Sequence, residues 1–267
     1  MTLIDIRNAS FAYEEKEIFN NVNLSVSKGE ICCLMGPNGC GKSTLLDCIL
    51  GFLRLSRGEI FLGGKPFLLY KIADLARQIA YVPQLHTRSF PYTVEQIVLM
   101  GRTTYGNGIA GPSKKDRELA IEALETVGML HLAERPYTKL SGGELQLVIL
   151  ARALVQETPA IIMDEPTAHL DFRNELLFME TVAKLVQQKN VGILMATHSP
   201  NQAFYFENKG LSVQVSVMGN QTILQTGTPD EVLTEETIRK VYRIEAKRAV
   251  YQDEQGIMRQ IIPRGSL

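Results

Sequence analysis

Gly36-Pro37-Asn38-Gly39-Cys40-Gly41-Lys42-Ser43-Thr44 fits the pattern G-x-x-x-x-G-K-[ST]. It lies between the apolar run Ile31 to Met35 and a helix-like run that begins after Lys42 and stops at Gly51. Strand, glycine loop and helix therefore come in the order that a phosphate cradle requires. Glycines let the backbone curl with its N–H groups pointing inward, and the start of the following helix adds positive potential. Lys42 is placed to bridge terminal phosphates, Ser43 to ligate magnesium, and Thr44 to add a further donor. The flanking context separates this stretch from a chance glycine turn.

Outward from the loop, the opening third alternates short β-type runs with turn residues: Leu3 to Arg7, Val22 to Val26, Glu30 to Met35, Glu59 to Leu62 and Ile79 to Pro83. From about Thr93 the period changes. Thr93 to Met100 and Asp116 to Val127 carry apolar residues at helical spacing, the second with Ser113 as N-cap and Gly128 as stop. The βαβ pattern returns with Ala160 to Met163, a helix from about Asn174 to Gln188, and Val191 to Ala196; the two apolar runs read as buried parallel strands. Beyond Pro200 come a short helix, a hairpin around Gly219-Asn220, and one helical run from Pro229 to Tyr242. The register of Leu211 to Leu224 stays open.

At 267 residues, 45% hydrophobic and 21% charged, the chain is ordinary for a globular protein with a sizeable core. A net charge of -1 gives no global basic field for nucleic acid or an anionic membrane surface, so nucleic acid is not an expected partner. No stretch approaches the roughly 20 apolar residues of a spanning helix, and the start is unlike a signal peptide. A cytoplasmic location is the expectation, with any membrane contact made through a protein partner. The four cysteines (Cys32, Cys33, Cys40, Cys48) lack CxxC spacing and nearby histidines, and read as small apolar residues in a reducing compartment.

Further motifs follow in order. Leu140-Ser141-Gly142-Gly143-Glu144 precedes a helical run; Ala160-Ile161-Ile162-Met163-Asp164-Glu165 ends an apolar strand; Ala168-His169-Leu170-Asp171 and Thr197-His198 come after it. Gln84 stands directly after Ile79 to Pro83, and Tyr13 lies near the start of the chain. Taken singly, Gln84 reads as a surface side chain, His198 as a helix-start residue and Tyr13 as a core aromatic. Taken jointly around the glycine loop, the set resembles the ATP-binding-cassette family over about residues 1–243. Ser141 to Glu144 resembles the signature loop, with Glu144 where glutamine is commonest and Gln146 two residues on. Asp164-Glu165 resembles the Walker B end with its catalytic glutamate, Asp171 the D-loop, His198 the switch histidine, Gln84 the Q-loop, and Tyr13 the aromatic residue that stacks on adenine.

The resemblance implies an α/β fold: a P-loop NTPase core of mixed or parallel sheet with flanking helices, an N-terminal antiparallel β subdomain, and a helical insertion at about residues 87–157. Residues 244–267 are left as a short C-terminal extension. It implies ATP and Mg2+ as cofactors. Gly36 to Thr44 would hold the nucleotide, and Ser43, Gln84 and Asp164 the magnesium. Glu165 would act as general base, with Gln84 and His198 completing the catalytic set. It also implies a head-to-tail homodimer in which each phosphate cradle is closed by the other chain's Ser141, Gly142, Gly143 and Glu144, with Asp171 at the seam.

A single cassette without fused spanning helices or a long coiled coil resembles the importer type. Such a subunit works with integral-membrane permease subunits, indirectly with a secreted substrate-binding protein, at the cytoplasmic face of the cell membrane. Tyr92 to Arg102 and Gly227 to Leu233 resemble cassettes that serve iron-siderophore, haem and cobalamin uptake. The segment Leu85 to Tyr105, with Phe90, Tyr92, Leu99, Met100 and Tyr105, is the expected permease-coupling surface, although Leu99 reads better as core. A cytosolic cassette without a membrane partner is the alternative. A GTPase-type switch is the weaker one, since Asn208-Lys209-Gly210-Leu211 lacks the carboxylate of Asn-Lys-x-Asp.

Overall fold

The computed structural model describes residues 1–84, 86, 88, 90–105, 111–253 and 256–267. The chain divides into two compact units, Met1–Leu69 with Leu185–Leu267, and Tyr70–Lys184. The first unit begins with β1 (Thr2–Tyr13) and β2 (Lys16–Ser27), an antiparallel pair. Ile4 and Ile6 face inward while Arg7 faces solvent, as a half-buried strand requires. The register slips between Ile6 and Ala9, where Asn8 has φ 49°; asparagine tolerates this left-handed conformation at a bulge. Then come β3 (Glu30–Met35), α1 (Lys42–Leu50), β4 (Arg57–Leu62) and β5 (Lys65–Pro66). One antiparallel sheet has the order β2-β1-β4-β5.

The second unit holds α2 (Ile72–Leu75), β6 (Ile79–Val82), α3 (Val94–Leu99), α4 (Lys114–Thr126), α5 (Gly142–Leu154) and β7 (Ala160–Asp164). The parallel pair β6 and β7 sets Ile79 opposite Ala160 and Val82 opposite Met163. Helices α3, α4 and α5 pack on one another, and α5 also on β6. Each of the three starts with a capping box: Thr93 with Gln96, Ser113 with Asp116, and Ser141 with Glu144. Helix α6 (Phe172–Lys189) carries the chain back, burying Phe178, Val182 and Leu185 at helical spacing.

The first unit resumes with β8 (Gly192–Thr197), α7 (Pro200–Asn208), β9 (Ser212–Gly219) and β10 (Thr222–Gly227). Strand β3 is the centre of a parallel trio with β8 on one side and β9 on the other, and β10 runs antiparallel beside β9. The open register resolves with Glu30 opposite Ser212 and Met35 opposite Val217. Cys32, Cys33 and Cys48 are buried and free, and burial pushes the Cys32 thiol up to about 12. The helical run expected from Pro229 to Tyr242 is two helices, α8 (Pro229–Val232) and α9 (Glu235–Tyr242). Thr234 separates them because its hydroxyl accepts from Thr237 N and starts a new helix. The C-terminal residues form a hairpin of β11 (Ile244–Asp253) and β12 (Gly256–Ser266) that packs on α9 and α7.

Candidate nucleotide and signature-loop sites

In the first unit the glycine loop leaves the buried end of β3 and enters α1. Gly39 and Gly41 have φ 78° and 105°, values that side chains resist, and a Cβ on Gly36 would lie 2.3 Å from the Met218 carbonyl oxygen. Unlike α3, α4 and α5, helix α1 starts from Gly41 with no side-chain cap and no acidic residue in its first turn, so its leading N–H groups are left for an external anion. Lys42 is buried, and its ammonium donates to the carbonyl oxygens of Gly36 (2.9 Å) and Pro37 (3.3 Å), which holds the cation inside the loop. Ser43 is exposed and Thr44 half-buried on the first turn. A cradle of backbone donors around one buried cation, with an accessible hydroxyl beside it, fits a nucleotide triphosphate and its magnesium.

Tyr13, at the exposed end of β1, stands edge-on to Phe11 with ring centroids 4.8 Å apart. Phe11 is buried, which leaves Tyr13 as the ring free to stack on a ligand. His198 is exposed, immediately after β8 and before α7.

The second unit brings Gln84 and Glu165 together at the C-terminal ends of β6 and β7. Gln84 Nε2 donates to Glu165 Oε2 at 3.3 Å. Glu165 has φ 41°, strained for a non-glycine residue, while its neighbour Asp164 is buried at the end of β7. Gln146 on α5 donates to the carbonyl oxygen of Pro83, one residue before Gln84, so the signature helix fixes the strand end that carries Gln84.

Ser141 caps α5: its hydroxyl accepts from Glu144 N, and Glu144 Oε2 accepts from Ser141 N at 2.7 Å. Those hydrogen bonds to Ser141, backbone first, hold the Glu144 carboxyl below its ordinary range. Glu144 thus serves the cap, which accounts for a carboxylate at this position. Gly143 is buried, and a Cβ there would come within 2.3 Å of Asn174 Cγ. Asn174 in turn donates to Asp171 Oδ2 from its side chain and to Asp171 Oδ1 from its backbone, so Asp171 caps the start of α6. Asn174 had no motif to mark it, and Gln146 was read only beside the signature loop, not as the residue that holds the backbone ahead of Gln84.

Residues 19–168 match the ABC transporter family. The chain belongs to the ABC transporter family. It is 33% identical over 97% of its length to the molybdate import ATP-binding protein MolC of Haemophilus influenzae, covering 96% of that protein. Against the iron(3+)-hydroxamate import ATP-binding protein FhuC of Bacillus subtilis it is 33% identical, covering 92% of this chain and 90% of the other. Its fold is similar, at a TM-score of 0.85 and 32% identity, to a structure described as an inward-facing conformation of a metal-chelate type ABC transporter, covering 98% of this chain and 97% of that one. Like its family, this ABC protein has the α/β fold of P-loop nucleotide hydrolases and is an ATP-binding, ATP-hydrolysing subunit. Among the described residues no helix is long and apolar enough to cross a membrane.

Proposed function

We propose that this ABC subunit works as a homodimer on separate integral-membrane permease subunits, at the cytoplasmic face of the cell membrane. There it drives import of a metal chelate or a related metal compound delivered by a secreted substrate-binding protein. The observation that carries this reading is the likeness, over 97% of the chain, to an import ATP-binding protein. Bound ATP with Mg2+ supplies the scissile bond and the charge that the cradle neutralises. Lys42 and the amides of Gly36 to Thr44 hold the phosphates, and Tyr13 stacks on the base. Ser43 and Gln84 would hold the metal, with Asp164 assisting beside them, and the metal would neutralise phosphate charge there. Glu165 takes the proton of the attacking water, and His198 contacts the γ-phosphate.

The phosphate cradle at Lys42 and the signature loop at Ser141 belong to different compact units. Each cradle is closed by Ser141 to Glu144 of the other chain, with Asp171 at the seam. The permease docks on the segment 85–105. Phe90 and Tyr92 are exposed there, Met100 less so, and Leu99 is buried; Leu85 lies outside the described residues. Co-expression with a candidate many-spanning permease tests the reading. Co-purification, and ATP-dependent uptake of a metal compound by vesicles holding both, is the expected result. A chain that purifies alone and adds no uptake would be a cassette without a membrane partner.

A further inference from the structure

Residues Thr197 to Gln202 form a hydrogen-bonded knot around His198. Thr197, buried at the end of β8, accepts through Oγ1 from Ser199 N at 3.1 Å and donates to Gln202 Oε1 at 2.7 Å. Gln202 N donates to the Ser199 carbonyl at 3.2 Å, which closes the first turn of α7. The position of His198 is therefore set by α7. That turn is held in place from one further side: Asn201, three residues after His198, grips the backbone of Ile261 in β12 at two points. Ile261 N donates to Asn201 Oδ1 at 2.8 Å, and Asn201 Nδ2 donates to the Ile261 carbonyl at 3.3 Å.

Ile261 is buried, and its hairpin partner Arg248 pairs with Asp230 and lies over the Phe204 ring of α7, 5.8 Å from its centroid. Arg259 reaches Asp230 at 2.6 Å and Glu207 on α7 at 3.8 Å. The hairpin is thus fastened along the whole length of α7, and a side-chain amide that satisfies one backbone donor and one backbone acceptor fixes register as well as distance.

We infer that the C-terminal β-hairpin is a positioning element for hydrolysis and that Asn201 is the positioning residue through which it acts on His198. The inference rests on the reading of His198 as the residue that contacts the γ-phosphate. It gives residues 244–267 a function: loosening the hairpin slows the hydrolytic step without weakening ATP binding.

The test is a double-mutant cycle on the full chain, with kcat and KM for ATP measured for wild type, Asn201→Ala, His198→Ala and the double variant. Asn201→Ala is expected to lower kcat about 5-fold or more with KM near wild type, and to lower it no further in the His198→Ala background, because residues acting as one unit are non-additive. Asn201→Asp keeps the acceptor for Ile261 N–H and should recover part of kcat; it carries the same cycle if the alanine variant fails to fold. Equal fold losses in both backgrounds, a loss confined to KM, or an Asn201→Ala rate at wild-type level beside a slow His198→Ala would each overturn the inference. A wild-type rate for His198→Ala would instead overturn the reading of His198, and the inference with it.

Discussion

Gln84 Nε2 donates to Glu165 Oε2, so a side chain two residues past β6 orients the carboxylate that follows β7. The strained φ of 41° at Glu165 points the same way, since a backbone kept out of its favoured region persists where surrounding contacts enforce it. A general base has to be aimed before it has to be basic.

Glu165→Gln keeps the shape and a partner for Gln84 but cannot take a proton. We expect turnover to fall by about two orders of magnitude or more with ATP binding intact. Lys42→Ala, which removes the buried cation of the cradle, should weaken nucleotide binding itself. Steady-state ATPase assays beside equilibrium binding separate the two, and near wild-type hydrolysis by the glutamine variant would remove Glu165 from its role.

Gly143→Ala drives a methyl group into Asn174, whose side chain cannot swing away without releasing Asp171 and the start of α6. A cost of about 1 to 3 kcal/mol is expected for such overpacking. Thermal unfolding should show the loss, and Asn174→Ala in the same chain should return part of it. Additive losses in the double variant would mean that the two side chains do not meet.

Arg102 is buried and donates from Nε to Asp116 at 2.8 Å, while its Nη1 donates to both the Val155 carbonyl and Glu157. Hydrogen bonds from the Ser113 side chain and from Arg102 pull the Asp116 carboxyl down to about 2. Because the folded value lies below the ordinary one of about 3.9, this stabilisation is complete above that pH and is lost as pH falls through the folded value. Asp116→Ala should cost about 2 kcal/mol at neutral pH, since Arg102 keeps its other partners. The gap between wild type and variant in urea unfolding should narrow toward pH 2; a gap constant with pH would contradict the pairing.

Much of this was readable in order along the chain. The apolar runs Ala160 to Met163 and Val191 to Ala196 foretold buried strands with parallel neighbours, and Ser113 and Gly128 bracketed a helix by capping chemistry alone. What escaped was set by partners distant in sequence. The hairpin of β11 and β12 mixes charged and apolar residues, and its deepest side chain, Ile261, is fixed by Asn201, sixty positions earlier. The contact of Gly143 with Asn174 likewise joins two helix starts that no periodicity connects. Thr234 was hidden because a capping hydroxyl inside an otherwise helical stretch looks like an ordinary helix residue.

Phe90 and Tyr92 are exposed, with rings 6.0 Å apart, in the segment proposed to receive the permease. Phe90→Glu and Tyr92→Glu should leave basal ATPase activity and melting temperature near wild type while abolishing permease binding in a pull-down. Unchanged binding and uptake would place the docking surface elsewhere.

Two chains sharing each nucleotide is the heart of the proposed mechanism, and nucleotide trapping in mixed dimers tests it most directly. In a Glu165→Gln background, chains carrying Lys42→Ala and chains carrying Ser141→Arg are each expected to trap no ATP alone. Mixed, they should form a dimer on size exclusion that holds about one nucleotide, because one chain supplies a sound signature loop and the other a sound cradle. Trapping by a strictly monomeric species that depends on its own Ser141 would contradict the account.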